Sequence, residues 1–363
     1  VTEQEFGEGA ASAFVFEGNW KEFAPIAFTN LLLTIVTLGI YRFWATARER
    51  SYFWSHTRFV DEHLEWTGTG KELFLGFVIV MLLFFLPYFG LTFVAQALLL
   101  RGHYAVGYAL IAVAFIMIFY LGGVARFRAL RYRLSRTNWR GIRGGSDDQG
   151  LSFGLTYMWK TVVGWIPIGL LIPWSMTSLW NLRWSRMSFG PFDFEADADP
   201  GEVFGRYLLF YLAPFLLFGA GVVVAASGAA AGFSAQNGEA AAPAMAIAIA
   251  GAILFFYFGL GLIALAFYAK FFRVAIGALR WRGLEFSFNA STMAWMKLFL
   301  VDVVLVIFTF GIGAIFLSYR HWKFFITHLE ASGEILLDEL TQSTTKTATH
   351  GEGLLDAFDV GAF

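Results

Sequence analysis

The chain has 363 residues, 58% of them hydrophobic, 19% aromatic and 15% charged, with a formal net charge of −1. Soluble domains carry about a quarter charged residues, so this composition excludes an ordinary soluble protein, and the absence of a basic excess argues against a nucleic-acid partner. No cysteine is present, which removes disulfides, thiolate metal sites and cysteine nucleophiles from consideration.

Residues 1–13 are small, acidic and rich in Gly and Ala, and predict a disordered start. The first two dozen residues are polar and acidic and do not read as a secretory signal. Phe14-Val15-Phe16 alternates ahead of Gly18 and predicts a short strand. A broken hydrophobic segment, residues 24–47, comes next. Asn30 to Ile40 is apolar apart from Asn30 and two threonines, breaks at Thr37-Leu38-Gly39, and gives way to aromatics alternating with Arg42, Arg48 and Arg50. That pattern predicts a turn at Gly39 followed by an amphipathic interfacial helix. His63 to Gly68 predicts another strand. Residues 73–100 then carry no charge; as a helix they measure roughly 42 Å against a hydrocarbon core of about 30 Å, so they span, tilted or kinked at Pro87. After the tight link Arg101-Gly102-His103, residues 104–125 cross back and complete a transmembrane hairpin.

The same order returns. A shift of 135 lays Ile172-Pro173-Trp174 on the break and Arg183 on Arg48, and aligns Asp302 of the third segment with Asn30 through a shift of 272 that also lays Thr309-Phe310-Gly311 on the break, Arg320 on Arg48 and His328 on His56. Lys297 falls on Lys160. Three internal repeats result: 14–137; 138–280, with a broken segment at 159–180 and transmembrane helices at 207–226 and 244–269; and a truncated 281–340, with a broken segment at 298–319. Strands are expected at Asn138 to Ile142, Phe192 to Glu195 and Trp281 to Phe288; no hairpin follows the third broken segment, only Ile335 to Asp338 and a polar tail at 341–363.

The predicted fold is an all-α integral membrane protein with short cytoplasmic strands, in which each repeat holds a broken segment and an interfacial helix and the first two add a transmembrane hairpin. If all three broken segments crossed, the basic loops at 126–143 and 270–282 would face opposite sides, against the cytoplasmic bias of Lys and Arg. Re-entrant segments turning at Gly39, Pro173 and Gly311 put both loops inside. The expectation is four spanning helices with both termini in the cytoplasm.

The run NLLLTIVTLGIYRFWATARERSYFWSHT, the following EWTGTGKELFLGF and the WRG motifs at Trp139 and Trp281 resemble the YjgN/DUF898 family of bacterial inner-membrane proteins over most of residues 14–340. The resemblance implies an inner-membrane location and no particular activity.

Gly68-Thr69-Gly70-Lys71 invites a phosphate-loop reading, but the pattern needs a glycine where Glu65 stands and a Ser or Thr where Glu72 stands; a turn into a spanning helix is expected instead. His56 and His63, and His321 and His328, are each seven apart, too few ligands for a metal site, so His56 and His328 are read as orienting aromatic-rich surface helices. Arg48, Arg183 and Arg320 read as interfacial anchors on lipid phosphates, or as three arginines converging on an anion. Asp302, in an apolar run, costs on the order of 3 kcal/mol at mid-helix and requires a partner or water; it is read either as a functional carboxylate or as a polar anchor. No cofactor, metal or catalytic constellation is expected and the protein is not read as an enzyme. Membrane lipids are the expected partners. The leading class is a transporter or channel-like protein of unspecified substrate, and the alternative is a structural or lipid-interacting membrane protein.

Overall fold

The computed structural model describes residues 5–6, 12–234, 241–334 and 340–345. Strands β1 (Glu5–Phe6) and β2 (Phe14–Phe16) precede two helices joined by a turn, α1 (Trp20–Val36) and α2 (Arg42–Ser55), which lead to β3 (Thr57–Phe59), β4 (Glu62–His63) and β5 (Glu65–Trp66). Next come α3 (Gly70–Val80), a π-helical turn (Met81–Phe85) and α4 (Leu86–Leu100), then α5 (Tyr104–Arg136) and strands β6 (Thr137–Trp139) and β7 (Ile142–Gly145). The order recurs with α6 (Leu151–Trp165), α7 (Ile172–Trp184), β8 (Ser188–Phe189), β9 (Phe192–Ala196), α8 (Pro200–Ser234), α9 (Ala241–Gly277), β10 (Leu279–Trp281) and β11 (Leu284–Phe288). A final α10 (Thr292–Phe308), a 3₁₀ turn (Ile312–Phe316), α11 (Leu317–His328) and β12 (Leu329–Glu334) complete it.

The protein is mostly helical, and among the described residues three helices are long and apolar enough to cross a membrane: Tyr104–Arg136, Pro200–Gly228 and Met245–Gly277. Gly70 to Leu100 runs on as a fourth rod through its π turn, where the Leu86 amide reaches back to the Met81 carbonyl. Pro87 explains that turn, since it has no N–H for a carbonyl one turn earlier and its ring crowds the preceding backbone.

The sheet content exceeds the all-α expectation. Nine strands join in the order β1-β12-β11-β10-β9-β8-β7-β6-β5, and β2-β3-β4 form a second sheet. The strands foreseen at Phe14–Phe16, Asn138–Ile142, Phe192–Glu195 and Trp281–Phe288 are all present, the second and fourth as hairpins. What was not foreseen is their pairing with one another. Glu5 and Phe6 pair with Glu334 and Gly333, so part of the segment expected to be disordered is a strand; Ile335 to Asp338 and most of the polar tail lie outside the described residues.

The strands flanking each helix–turn–helix pair with each other. Phe14 sits opposite Phe59 across α1–α2, Gly144 opposite Phe189 across α6–α7, and Leu284 opposite Gly333 across α10–α11. Each helical pair therefore begins and ends at one place. The same holds for the long helices: β5 and β6 pair around α3–α5, and β9 and β10 pair around α8–α9.

The three turns share a backbone signature, a non-glycine residue at positive φ followed by a glycine at positive φ: Leu38 and Gly39, Ile168 and Gly169, Phe310 and Gly311. The first and third are matched to the hydrogen bond. Thr37 Oγ1 donates to the Leu33 carbonyl and accepts from the Tyr41 amide, as Thr309 Oγ1 does with Leu305 and Gly313. The matching turns lie 272 residues apart between the first and third segments and 130 apart between the first and second, where Leu38 matches Ile168 and the positive-φ Val60 matches Gly190. The expected shift of 135 took Pro173 for the break. Pro173 instead sits in the first turn of α7, where the missing N–H costs nothing, and the turn lies at Ile168-Gly169.

Candidate functional site at the helix–sheet junction

Where α2, α7 and α11 meet the sheet they leave an open cavity of about 470 Å³. Aromatic rings make a large part of its wall: Trp54, Trp322, Phe53 and Phe325 from α2 and α11, Trp180 and Trp184 from α7, and Phe59, Trp139, Phe189, Trp281 and Phe286 from the strands. The sheet end is held by a repeated bond, in which the Trp139 indole donates to the Phe59 carbonyl at 3.0 Å and the Trp281 indole to the Phe189 carbonyl at 3.2 Å. These are the tryptophans of the two WRG hairpins. Buried indoles normally find such an acceptor. The indole N–H groups of Trp180 and Trp184 are buried too, yet have no acceptor among the described residues.

Polar groups enter the wall from three helices. Thr46, Glu49 and Arg50 come from α2, Arg133 from α5, and Ser318 and His321 from α11. Arg50 is buried, with its guanidinium 5.1 Å from the centre of the Trp66 ring. His321 connects the cavity to Asp302 of α10: one carboxylate oxygen lies 2.7 Å from His321 Nε2 and the other accepts from Arg320 Nε at 2.6 Å. The expected partner for Asp302 is therefore present, and comes from the adjoining helix of its own segment rather than from another one. Its counterpart Asn30 is buried and donates weakly to Glu49 Oε1 and the Ala45 carbonyl, both at 3.4 Å, while its own Oδ1 has no donor among the described residues. In the 130 register the third counterpart is Lys160, lying 5.6 Å from the Trp174 ring centre. A polar residue thus stands at one position of α1, α6 and α10.

The three arginines singled out from sequence are not brought together. Arg48 is exposed, 3.4 Å from the Tyr41 hydroxyl; Arg320 is half-buried on Asp302; Arg183 is buried over the Trp180 ring at 5.4 Å. The 130 register sets Ser178, not Arg183, opposite Arg48. His56 and His328 lie outside the cavity wall and do matching work at helix ends, each ring nitrogen Nδ1 lying 2.7 Å from the carbonyl four residues back, that of Tyr52 or Phe324. Each also packs on that residue's ring. The Thr69-Gly70-Lys71 turn is a helix start. Thr69 and Glu72 form a capping box, and a Cβ on Gly70 would meet the Trp44 backbone at 2.6 Å, so only glycine lets α3 approach α2 there. Glu72 also accepts from Arg136 at 3.0 Å.

Sequence reasoning missed Glu49, Arg50 and Arg133 and the aromatic wall, and noted His321 only as half of a histidine pair. Among the described residues no three His, Asp or Glu side chains gather as a metal site.

The family model described as a bacterial protein of unknown function (DUF898) matches residues 11–357. Similar relatives include the inner membrane protein YjgN of Salmonella typhimurium, 26% identical over 131 residues, which cover 36% of this chain and 30% of the relative. Its namesake in Escherichia coli O157:H7 is 23% identical over 240 residues, 56% of this chain and 57% of that one. The chain thus spans between about a third and just over half of the length of these relatives. No solved structure matches. With nearly its whole length matched by one family model, the chain belongs to the DUF898 family of bacterial proteins.

Proposed function

We propose that this is a multi-pass inner-membrane protein, not an enzyme, that receives a small amphipathic molecule in the aromatic cavity from the cytoplasmic side, as a transporter does. Three segments built on one plan, α1–α2, α6–α7 and α10–α11, surround the cavity and dip into the membrane without crossing it. Four rods, α3–α4, α5, α8 and α9, cross. Strand pairing supports this topology by parity: two strands hydrogen-bonded to each other lie on one side, so the chain between them crosses an even number of times. The helices of the short pairs have 12 to 17 residues, giving at most about 26 Å each, short of a hydrocarbon core of about 30 Å.

The observation that carries the transport reading is the cavity itself, largely apolar and bearing Glu49, Arg50, Arg133 and His321, with His321 tied to the buried Asp302. Ligand sites are typically apolar hollows with a few convergent polar groups. Native mass spectrometry of the chain released from its own membranes tests it. The expected result is a bound mass that disappears when Leu134→Trp fills the cavity. A bare chain mass in the unaltered protein would overturn the reading.

One observation favours the alternative, a structural protein that grips lipid. The three turn tips expose Leu38 at 94%, Ile168 at 79% and Phe310 at 96%. A left-handed conformation costs a non-glycine residue about 1–2 kcal/mol, and a large apolar side chain at that point recurs three times. On this reading a charge at the tips abolishes the in vivo role while the filled cavity leaves it intact.

A further inference from the structure

Arg183 is the least explained charge in the structure. It is 7% exposed, and among the described residues its guanidinium makes no hydrogen bond or ion pair; its contact is the face of Trp180. The charges close enough to act on it are Arg133 and Arg126, both of the same sign, and together with burial they push its pKa down to about 10. It is still a full cation at neutral pH. Arg126 stands two helical turns before Arg133 on the same face of α5, its own guanidinium bonded to the Gly122 carbonyl at 3.2 Å and stacked on Tyr157. An uncompensated buried cation is expensive unless paired, and the like charges of Arg133 and Arg126 add to the cost at Arg183. Beside Arg183 on α7, the buried indole N–H groups of Trp180 and Trp184 also have no acceptor.

We propose that the α5–α7 junction binds a phosphate-class oxyanion, held by Arg183 with Arg133 and Arg126 and accepting hydrogen bonds from the Trp180 and Trp184 indoles. Guanidinium forks match the oxygens of phosphate, and such an anion answers two unmet demands at once, the charge of Arg183 and the orphan indole donors. Arg133, Trp180 and Trp184 also line the cavity, so the site opens onto it. The anion can be free phosphate or the phosphodiester of a lipid headgroup. The inference holds whether or not anything crosses the bilayer, because it requires binding alone.

The test uses the full chain in neutral detergent and phosphate-free buffer, with the thermal midpoint followed by tryptophan fluorescence. Inorganic phosphate is titrated in one arm, against chloride at equal ionic strength, and phosphatidylglycerol in the other, against a phosphate-free glycolipid. A saturable rise in one arm identifies the source. In Arg183→Met the apparent dissociation constant should weaken at least about tenfold, with Arg183→Lys falling between; should Arg183→Met fail to fold, Arg133→Gln serves in its place. No rise above the controls in either arm, or an undiminished rise in the variants, overturns the proposal. Failure here leaves the native-mass result for the cavity untouched, so the two readings fall separately.

Discussion

Asp302 and Asn30 occupy one position in two segments and show how much depends on a partner. Asp302 has a half-buried Arg320 at 2.6 Å and His321 at 2.7 Å, so Asp302→Ala strands a guanidinium and should cost about 3 kcal/mol or more, the usual penalty for breaking a buried pair. Asn30 makes two 3.4 Å contacts and leaves Oδ1 unsatisfied. Asn30→Leu should therefore be neutral or stabilising. Thermal midpoints in detergent compare the two, and a larger loss at Asn30 would contradict the assignment of partners. At the start of α3, Thr69→Ala removes the capping box and should cost about 1 kcal/mol, read as a lowered midpoint. No residue-level rule distinguished Arg183 from Arg48 in the sequence; their burial depends on α5 and the sheet, which are far away along the chain.

At the scale of elements, the hydrophobic runs and period-two stretches were legible because their signals are local. The apolar runs at 73–100 and 104–125 fall in helices, within Gly70 to Leu100 and Tyr104–Arg136, and the chain turns at positive-φ Gly39 and Gly311. The break in the second segment was misplaced because proline punctuates a sequence in two ways: it ends a helix from inside but starts one at the first turn. The pairing of separate hairpins into one sheet was not legible, since short strands carry no mark of their partners. The turns make a prediction of their own. The chain has no cysteine, so single cysteines at Leu38, Ile168 and Phe310 can each carry an environment-sensitive dye. All three should show equally blue-shifted emission in liposomes, quenched by lipids brominated along the acyl chain. Water-like emission at any of them would remove that segment from the membrane.

At the scale of the whole molecule, helices of the three short pairs and the strand hairpins line the cavity, and the long helices α3–α5 and α8–α9 are inserted between those pairs. This order explains why the cavity was invisible in the sequence: its wall is drawn from residues scattered between Phe14 and Leu329. It also makes the topology the central claim, because the cavity can receive a cytoplasmic molecule only if the entire sheet lies on that side. Single cysteines at Asp61, Arg140, Pro191 and Arg282, all in hairpin turns of the sheets, and at Arg101, in the link between α4 and α5, should be treated with a membrane-impermeant maleimide in intact cells and in inverted vesicles. With the sheets on the cytoplasmic side, the four hairpin sites label only in inverted vesicles and Arg101 only in intact cells; labelling of any hairpin site from the outside would contradict that topology.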